Sequence, residues 1–154
     1  MLQDQPSLMT RIAVGKGLGF LVGLAGLVTF PYFMADVGWL VRIGILLWYT
    51  TLGGIIGLAG VLTWHPVLQI PMPWWIRGPL VGGWMNFVLT FFAYDFMEAI
   101  LINLFGYGSP LASPWWFAAE GAVVGFVIGG AEHLPIETIA EWLKEHGFNA
   151  IRLP

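Results

Sequence analysis

The sequence lacks cysteine and has few charged residues, and both shortages narrow what the chain can be. Charged residues occupy 10% of its 154 positions, against about 25% in ordinary soluble domains. Without cysteine, the chain has no disulfides, no thiolate metal sites and no thiol nucleophile. The net charge of -3 arises from 6 basic and 9 acidic residues, which is not the basic footprint that nucleic-acid binding needs. Nucleic acid is therefore not an expected partner.

Apolar surface is what the chain has in abundance. Hydrophobic residues make up 58% of it, with 21 glycines and 9 tryptophans, and the mean hydropathy is +0.79. A single domain of this length cannot bury so much apolar surface inside itself. Glycine is tolerated in lipid-embedded helices, and tryptophan collects at membrane interfaces. The composition predicts one integral membrane domain over residues 1–154, with the lipid bilayer as its partner.

Four apolar stretches are long enough to cross a hydrocarbon core, which takes about 20 helical residues. They are continuous and lack the alternation that a membrane β-barrel requires. We therefore predict an all-α membrane protein, a four-transmembrane-helix bundle with a short amphipathic C-terminal helix. The predicted spans are residues 12–34, 38–64, 80–105 and 115–134, and the predicted amphipathic helix is 136–146.

The basic residues predict the orientation. Arg42 lies near one end of the predicted bundle, and five other basic residues fall at the opposite end if there are four spans. Because positive charge concentrates in cytoplasmic loops, both termini are expected in the cytoplasm and the protein in the plasma (inner) membrane. The first apolar run is too long for a signal peptide and is expected to stay in the mature protein. The five basic residues are Arg11, Lys16, Arg77, Lys144 and Arg152.

Glycines recur every four residues in three of the predicted spans. Such stripes let two helix backbones approach closely, so we expect them to pack helices within the chain. The alternative is that at least one stripe forms an interface in a homo-oligomer or with a partner membrane subunit. No tandem repeat is evident in the sequence. The stripes are Gly15, Gly19 and Gly23; Gly53 and Gly57; and Gly121, Gly125 and Gly129.

Ionisable residues inside the predicted spans are the strongest functional signal. A charge near the bilayer centre costs about 2.5 to 3.5 kcal/mol even on the more lenient scale. Asp95 and Glu98 are three residues apart and share a helix face, while Glu120 and Arg42 lie in the fourth and second spans. If these four meet, they predict a proton or ion pathway with Arg42 as counter-charge. The alternative is a structural polar network.

His65, Glu132 and His133 are weak candidates for a metal or haem site. Both histidines end predicted spans at the inner surface, where histidine is more often a simple polar cap, so no cofactor is expected. No serine–histidine–aspartate order and no phosphate-binding glycine loop stands out, so catalysis has no positive support. The sequence favours ion- or proton-coupled transport or a channel. The alternative is a non-catalytic accessory or scaffold subunit of a larger membrane complex.

Overall fold

The computed structural model describes residues 6–65, 67 and 69–133, and this part of the chain is helical, without a strand. Three of its helices are long and apolar enough to cross a membrane, and the fourth, with 16 residues, is shorter. The predicted amphipathic helix 136–146 and residue 134 of the fourth predicted span lie outside the described residues. The helices are α1 (Leu8–Phe33), α2 (Trp39–Ala59), α3 (Trp74–Phe105) and α4 (Trp116–Ala131), with a 3-10 turn at Pro110–Ala112.

Helix α3 begins at Trp74, six residues before the predicted start, and contains Pro79. The predicted spans leave residues 65–79 as a connecting loop, and its prolines favour irregular structure because proline removes a backbone hydrogen bond. Contacts with α4 explain the longer helix. The Trp74 ring lies 5.3 Å from that of Phe126, and Gly78 meets the backbone of Gly125. Both contacts lie before Pro79 and stabilise the first turns of α3.

Helix α2 ends at Ala59, five residues before the predicted end. Two arginine side chains bind the carbonyl groups that follow it. Arg11 Nη1 donates to the Gly60 carbonyl at 2.6 Å, and Arg77 Nη1 donates to the Leu62 carbonyl at 2.8 Å. Because these acceptors bind side chains from α1 and α3, the backbone there leaves the helix and turns back towards α3.

The four helices form two antiparallel hairpins, α1 with α2 and α3 with α4. Within each hairpin the backbones touch: a Cβ atom added to Gly15 would overlap the Gly53 carbonyl oxygen, and one added to Gly78 would overlap that of Gly125. Such contact is possible only because these positions carry no side chain. All eight predicted stripe glycines lie at helix contacts inside the chain. They are Gly15, Gly19, Gly23, Gly53, Gly57, Gly121, Gly125 and Gly129.

The two hairpins repeat the same packing register. Adding one constant to the residue numbers of α1 gives the equivalent positions on α3. Adding a second constant to the residue numbers of α2 gives the equivalent positions on α4. The sequence shows no tandem repeat because glycine spacing, rather than residue identity, carries the equivalence. The pair Gly15–Gly53 corresponds to Gly78–Gly125, and the pair Gly19–Tyr49 corresponds to Gly82–Gly121.

The hairpins meet at equivalent side chains. The buried core joins Leu52 and Ile56 of α2 to Ile128 of α4. The offset between the hairpins pairs Ile56 with Ile128, and it pairs Leu52 with Val124, which packs against this core. Leu18 of α1 and Val81 of α3, a further equivalent pair, also contact it. The described bundle is thus two similar halves packed about a shared apolar centre.

Candidate functional site

A cavity of about 570 Å³ lies between α2 and α3, and Phe30 of α1 and Phe117 of α4 also line it. Its volume is in the range of small-molecule binding pockets. Aromatic and aliphatic side chains form most of its wall, and none of the described residues that line it carries a charge. The polar side-chain groups on the wall belong to Trp48, Tyr49 and Asn86.

These three side chains connect the cavity to Glu120. Tyr49 Oη donates to the Glu120 carboxylate and lies 2.9 and 2.8 Å from its two oxygens. Asn86 Nδ2 donates to Glu120 Oε2 at 2.7 Å. Trp48 Nε1 in turn donates to Asn86 Oδ1 at 2.9 Å. The acid therefore lies directly behind the cavity wall, and its carboxyl group is bound by two donors that themselves line the cavity.

Local sequence explains how these groups meet. Tyr49 lies ten residues from either end of α2, so its side chain projects from the middle of that helix. Gly121 follows Glu120 and leaves room for Asn86, since an added Cβ there would come within 2.7 Å of the Asn86 side chain. Asn86 is 1% exposed, and its amide also donates to the Phe117 carbonyl at 3.1 Å. A larger residue at position 121 would push Asn86 away from the acid.

Helix α3 is kinked where it borders the cavity. Ala93 has φ -122° and ψ 23°, outside the helical region, although no proline or glycine is near it. One turn earlier, the buried Thr90 Oγ1 donates to the Asn86 carbonyl at 2.8 Å. Threonine bonding back to the preceding turn bends helices. Ala93 itself lines the cavity, so the bend shapes the binding space beside the Glu120 network.

The other predicted pathway residues lie apart from this network. Asp95 is exposed and Glu98 half-buried, both beyond the kink, and neither hydrogen-bonds to another residue in the described ranges. Arg42 Nε donates to the Leu27 carbonyl at 3.0 Å, and its guanidinium lies 4.6 Å from the centre of the Trp39 ring. Of the four predicted residues, the structure brings only Glu120 into a partly buried network of side-chain hydrogen bonds.

The weak metal candidates lie at the other end of the bundle. Glu132 follows α4 and is 3% exposed, and Arg11 and Arg77 act on it electrostatically. His133 Nδ1 lies 3.0 Å from the Gly129 carbonyl. His65 lies in the loop between α2 and α3. Within residues 6–65, 67 and 69–133, no three histidine or acidic side chains come close enough to hold a metal ion.

Comparison with known proteins adds nothing to this geometry. No protein-family model, no characterised protein and no solved structure matches the chain. The contacts around Glu120 are therefore the basis for a functional proposal.

Proposed function

We propose that the chain is a four-span plasma-membrane transporter that exchanges protons for a lipophilic cation at Glu120. Helices α1, α2 and α3 have the length and hydropathy of membrane spans. Helix α4, about 24 Å long at 1.5 Å per residue, is the fourth span in this proposal. Its support is that it packs backbone to backbone along α3, from Gly121 against Gly82 to Gly125 against Gly78.

Architecture supports transport rather than a purely structural role. Secondary transporters are commonly built from internal structural repeats, with substrate sites between the halves and beside interrupted helices. This chain has two hairpins with one packing register, and its larger cavity lies between α2 of one hairpin and α3 of the other. The break at Ala93 adjoins that cavity.

The chemistry of the wall favours a cation with a large apolar part. Aromatic faces attract cations, and Phe92, Phe96 and Trp48 are among the cavity's rings. Among the described residues, no lysine or arginine lines the cavity, and the carboxyl group of Glu120 hydrogen-bonds to Tyr49 of its wall. A channel for hydrated ions needs a polar or water-filled path, whereas this wall is mainly apolar. A carrier that takes up the whole ligand fits the wall better.

The observation that supports this proposal is the contact of Tyr49 and Asn86 with Glu120. A single carboxyl group that holds either a proton or a cation makes binding of the two mutually exclusive. Exchange transport follows if the loaded site reaches each side of the membrane in turn. Tyr49 and Asn86 contact both the acid and the cavity. Their contacts would therefore respond to whether a proton or a cation is bound.

Transport into proteoliposomes tests the proposal. Purified protein in vesicles with a pH gradient is expected to accumulate a fluorescent lipophilic cation. Replacing Glu120 by Gln keeps the shape and hydrogen bonding but removes the charge, so uptake should fall at least about tenfold. The control is Asp95→Asn with Glu98→Gln, which changes two acids outside the network and should retain uptake. Absence of uptake by the wild type, or equal uptake by Glu120→Gln, would contradict the proposal.

A further inference from the structure

Aromatic rings from all four helices line the cavity beside Glu120. The rings of Phe30 and Phe96 are stacked, with 5.9 Å between their centres and 13° between their planes. Aromatic faces attract cations, and quaternary ammonium groups are ligands that clusters of such rings bind. The cavity can therefore stabilise a positive charge without hydrogen-bonding to it. The aromatic residues of the wall are Phe30, Trp48, Tyr49, Phe92, Phe96 and Phe117.

The side-chain hydrogen-bond donors on this wall are already used within the protein. Trp48 Nε1 donates to Asn86 Oδ1, and Tyr49 Oη donates to the Glu120 carboxylate. The amide nitrogen of Asn86 carries two hydrogens, and it donates to Glu120 Oε2 and to the Phe117 carbonyl. Each N–H and O–H group that the described wall side chains carry is thus bound to a partner in the chain.

Acceptors for the N–H groups of a ligand are equally scarce. The described wall side chains carry two acceptor oxygens, Asn86 Oδ1 and Tyr49 Oη. The first already accepts from Trp48, and Asn86 is 1% exposed. A primary ammonium group carries three N–H donors, and a donor left unpaired in an apolar site lowers affinity. A cation without N–H groups avoids that cost.

We propose that this cavity binds quaternary cations, which have no N–H group, and discriminates against primary ammonium ions. The inference rests on the exchange proposed for Glu120 and specifies its substrate class. The Glu120 carboxylate supplies the opposite charge from behind Tyr49 and Asn86, and Coulombic attraction needs no direct hydrogen bond. The volume of about 570 Å³ accommodates a ring system beside the charged group. Because a quaternary cation keeps its charge at every pH, the proton released in exchange comes from the protein and not from the ligand.

Two isomeric cations test this selectivity in the wild type. Trimethyl(naphthylmethyl)ammonium and naphthylbutylammonium have the same atoms and charge, but only the second has N–H groups. Calorimetric titration of the purified protein in one neutral detergent, at a pH where the amine is protonated, gives both dissociation constants. Titration into protein-free micelles is the reference. The quaternary isomer should bind at least about tenfold more tightly.

The two proposals fail in different ways in this titration. Equal affinity of the two isomers, or tighter binding of the primary one, would overturn the selectivity and leave the exchange at Glu120 intact. Binding of neither cation would overturn both.

A neutral isostere separates recognition of the charge from burial of apolar surface. In neopentylnaphthalene a carbon atom replaces the quaternary nitrogen, so the shape is kept and the charge is lost. Its affinity is measured by displacement of the quaternary cation. It should bind at least about tenfold more weakly, because it gains nothing from the carboxylate or from cation–π contacts. Equal affinity would mean that apolar surface alone binds both ligands, which would overturn the inference.

Matched ring variants test the part played by the aromatic wall. Phe96→Leu removes a ring from the cavity but keeps a large apolar side chain, so affinity for the quaternary cation should fall about two- to thirtyfold. Affinity for the isostere should change less. Phe91 lies on the same helix, is 63% exposed and is not among the residues that line the cavity, so Phe91→Leu should leave affinity unchanged. Unchanged binding of the cation by Phe96→Leu, or an equal fall in Phe91→Leu, would overturn the inference.

Discussion

Arg42 contacts a neighbouring helix and an aromatic ring, and no acid within the described residues. Its Nε donates to the Leu27 carbonyl, and its guanidinium lies over Trp39. A charged-to-backbone hydrogen bond and a cation–π contact together stabilise by about 1 to 3 kcal/mol. The structure thus accounts for Arg42 without the counter-charge role that the sequence predicts.

A double-mutant cycle tests this explanation of Arg42. Arg42→Met is introduced into the wild type and into the Asp95→Asn, Glu98→Gln background, and the free energy of unfolding of each protein is measured in one detergent. Because the structure shows no contact between Arg42 and these acids, the loss should be the same in both backgrounds within about 0.5 kcal/mol. A markedly smaller loss in the double-acid variant would restore the predicted pairing of Arg42 with the acids.

Glu120 and its partners show how much of the candidate site could be predicted from the sequence alone. Glu120 could be selected because an acid stands out in an apolar run. Its partners Trp48, Tyr49 and Asn86 could not be selected with equal ease, because such side chains are common in membrane helices and their meeting depends on the register of three helices. The sequence does contain one signal for these partners. Tyr49 is four residues from Gly53, and Asn86 is four residues from Gly82, so each shares a helix face with a glycine.

At the scale of elements, the glycine stripes determine which helices pair and how closely. Their spacing predicts close packing, and contacts between glycine and the neighbouring backbone occur in both hairpins, for example between Gly19 and Tyr49. The helix ends were less predictable. The predicted spans leave Pro79 in a loop, but contacts with α4 extend α3 back to Trp74. No proline or glycine near Ala93 predicts the kink there, which depends on the buried Thr90.

Alanine at two glycines provides a matched test of the stripes. In Gly125→Ala the new Cβ would overlap the Gly78 carbonyl oxygen, which is backbone and cannot move alone, so the helices must separate at a cost of about 1 to 3 kcal/mol. Gly17, also helical, has no atom within 4 Å of its added Cβ, and Gly17→Ala should stabilise by up to about 1 kcal/mol. Thermal unfolding of both variants in one detergent measures the difference. Equal melting temperatures would argue against backbone contact between α3 and α4.

For the whole molecule, the two hairpins place the starts of α1 and α3 at one end. Arg11 and Arg77 both bind the segment that follows α2, and Lys16 lies one turn further along α1. The described basic residues other than Arg42 therefore collect at the end predicted to be cytoplasmic. Asp36 lies in the connection between α1 and α2 at the opposite end.

Topology mapping tests this orientation. Four spans require both termini on one side, and the positive-inside rule makes that side the cytoplasm. Fusions of a reporter active only in the cytoplasm, made separately at each terminus, should both be active. A fusion placed after Asp36 should be inactive and serves as the control. Activity at one terminus alone would exclude four spans and leave α4 on one face of the membrane.

In the proposed exchange, Glu120 binds either a proton or a cation. Titration of the purified protein with a lipophilic cation, in weak buffer with a pH indicator, measures this directly. At acidic pH, the wild type is expected to release up to one proton for each cation bound, and Glu120→Gln should release none. The Asp95→Asn, Glu98→Gln variant should release protons as the wild type does. Binding without proton release, or release that persists in Glu120→Gln, would contradict the claim.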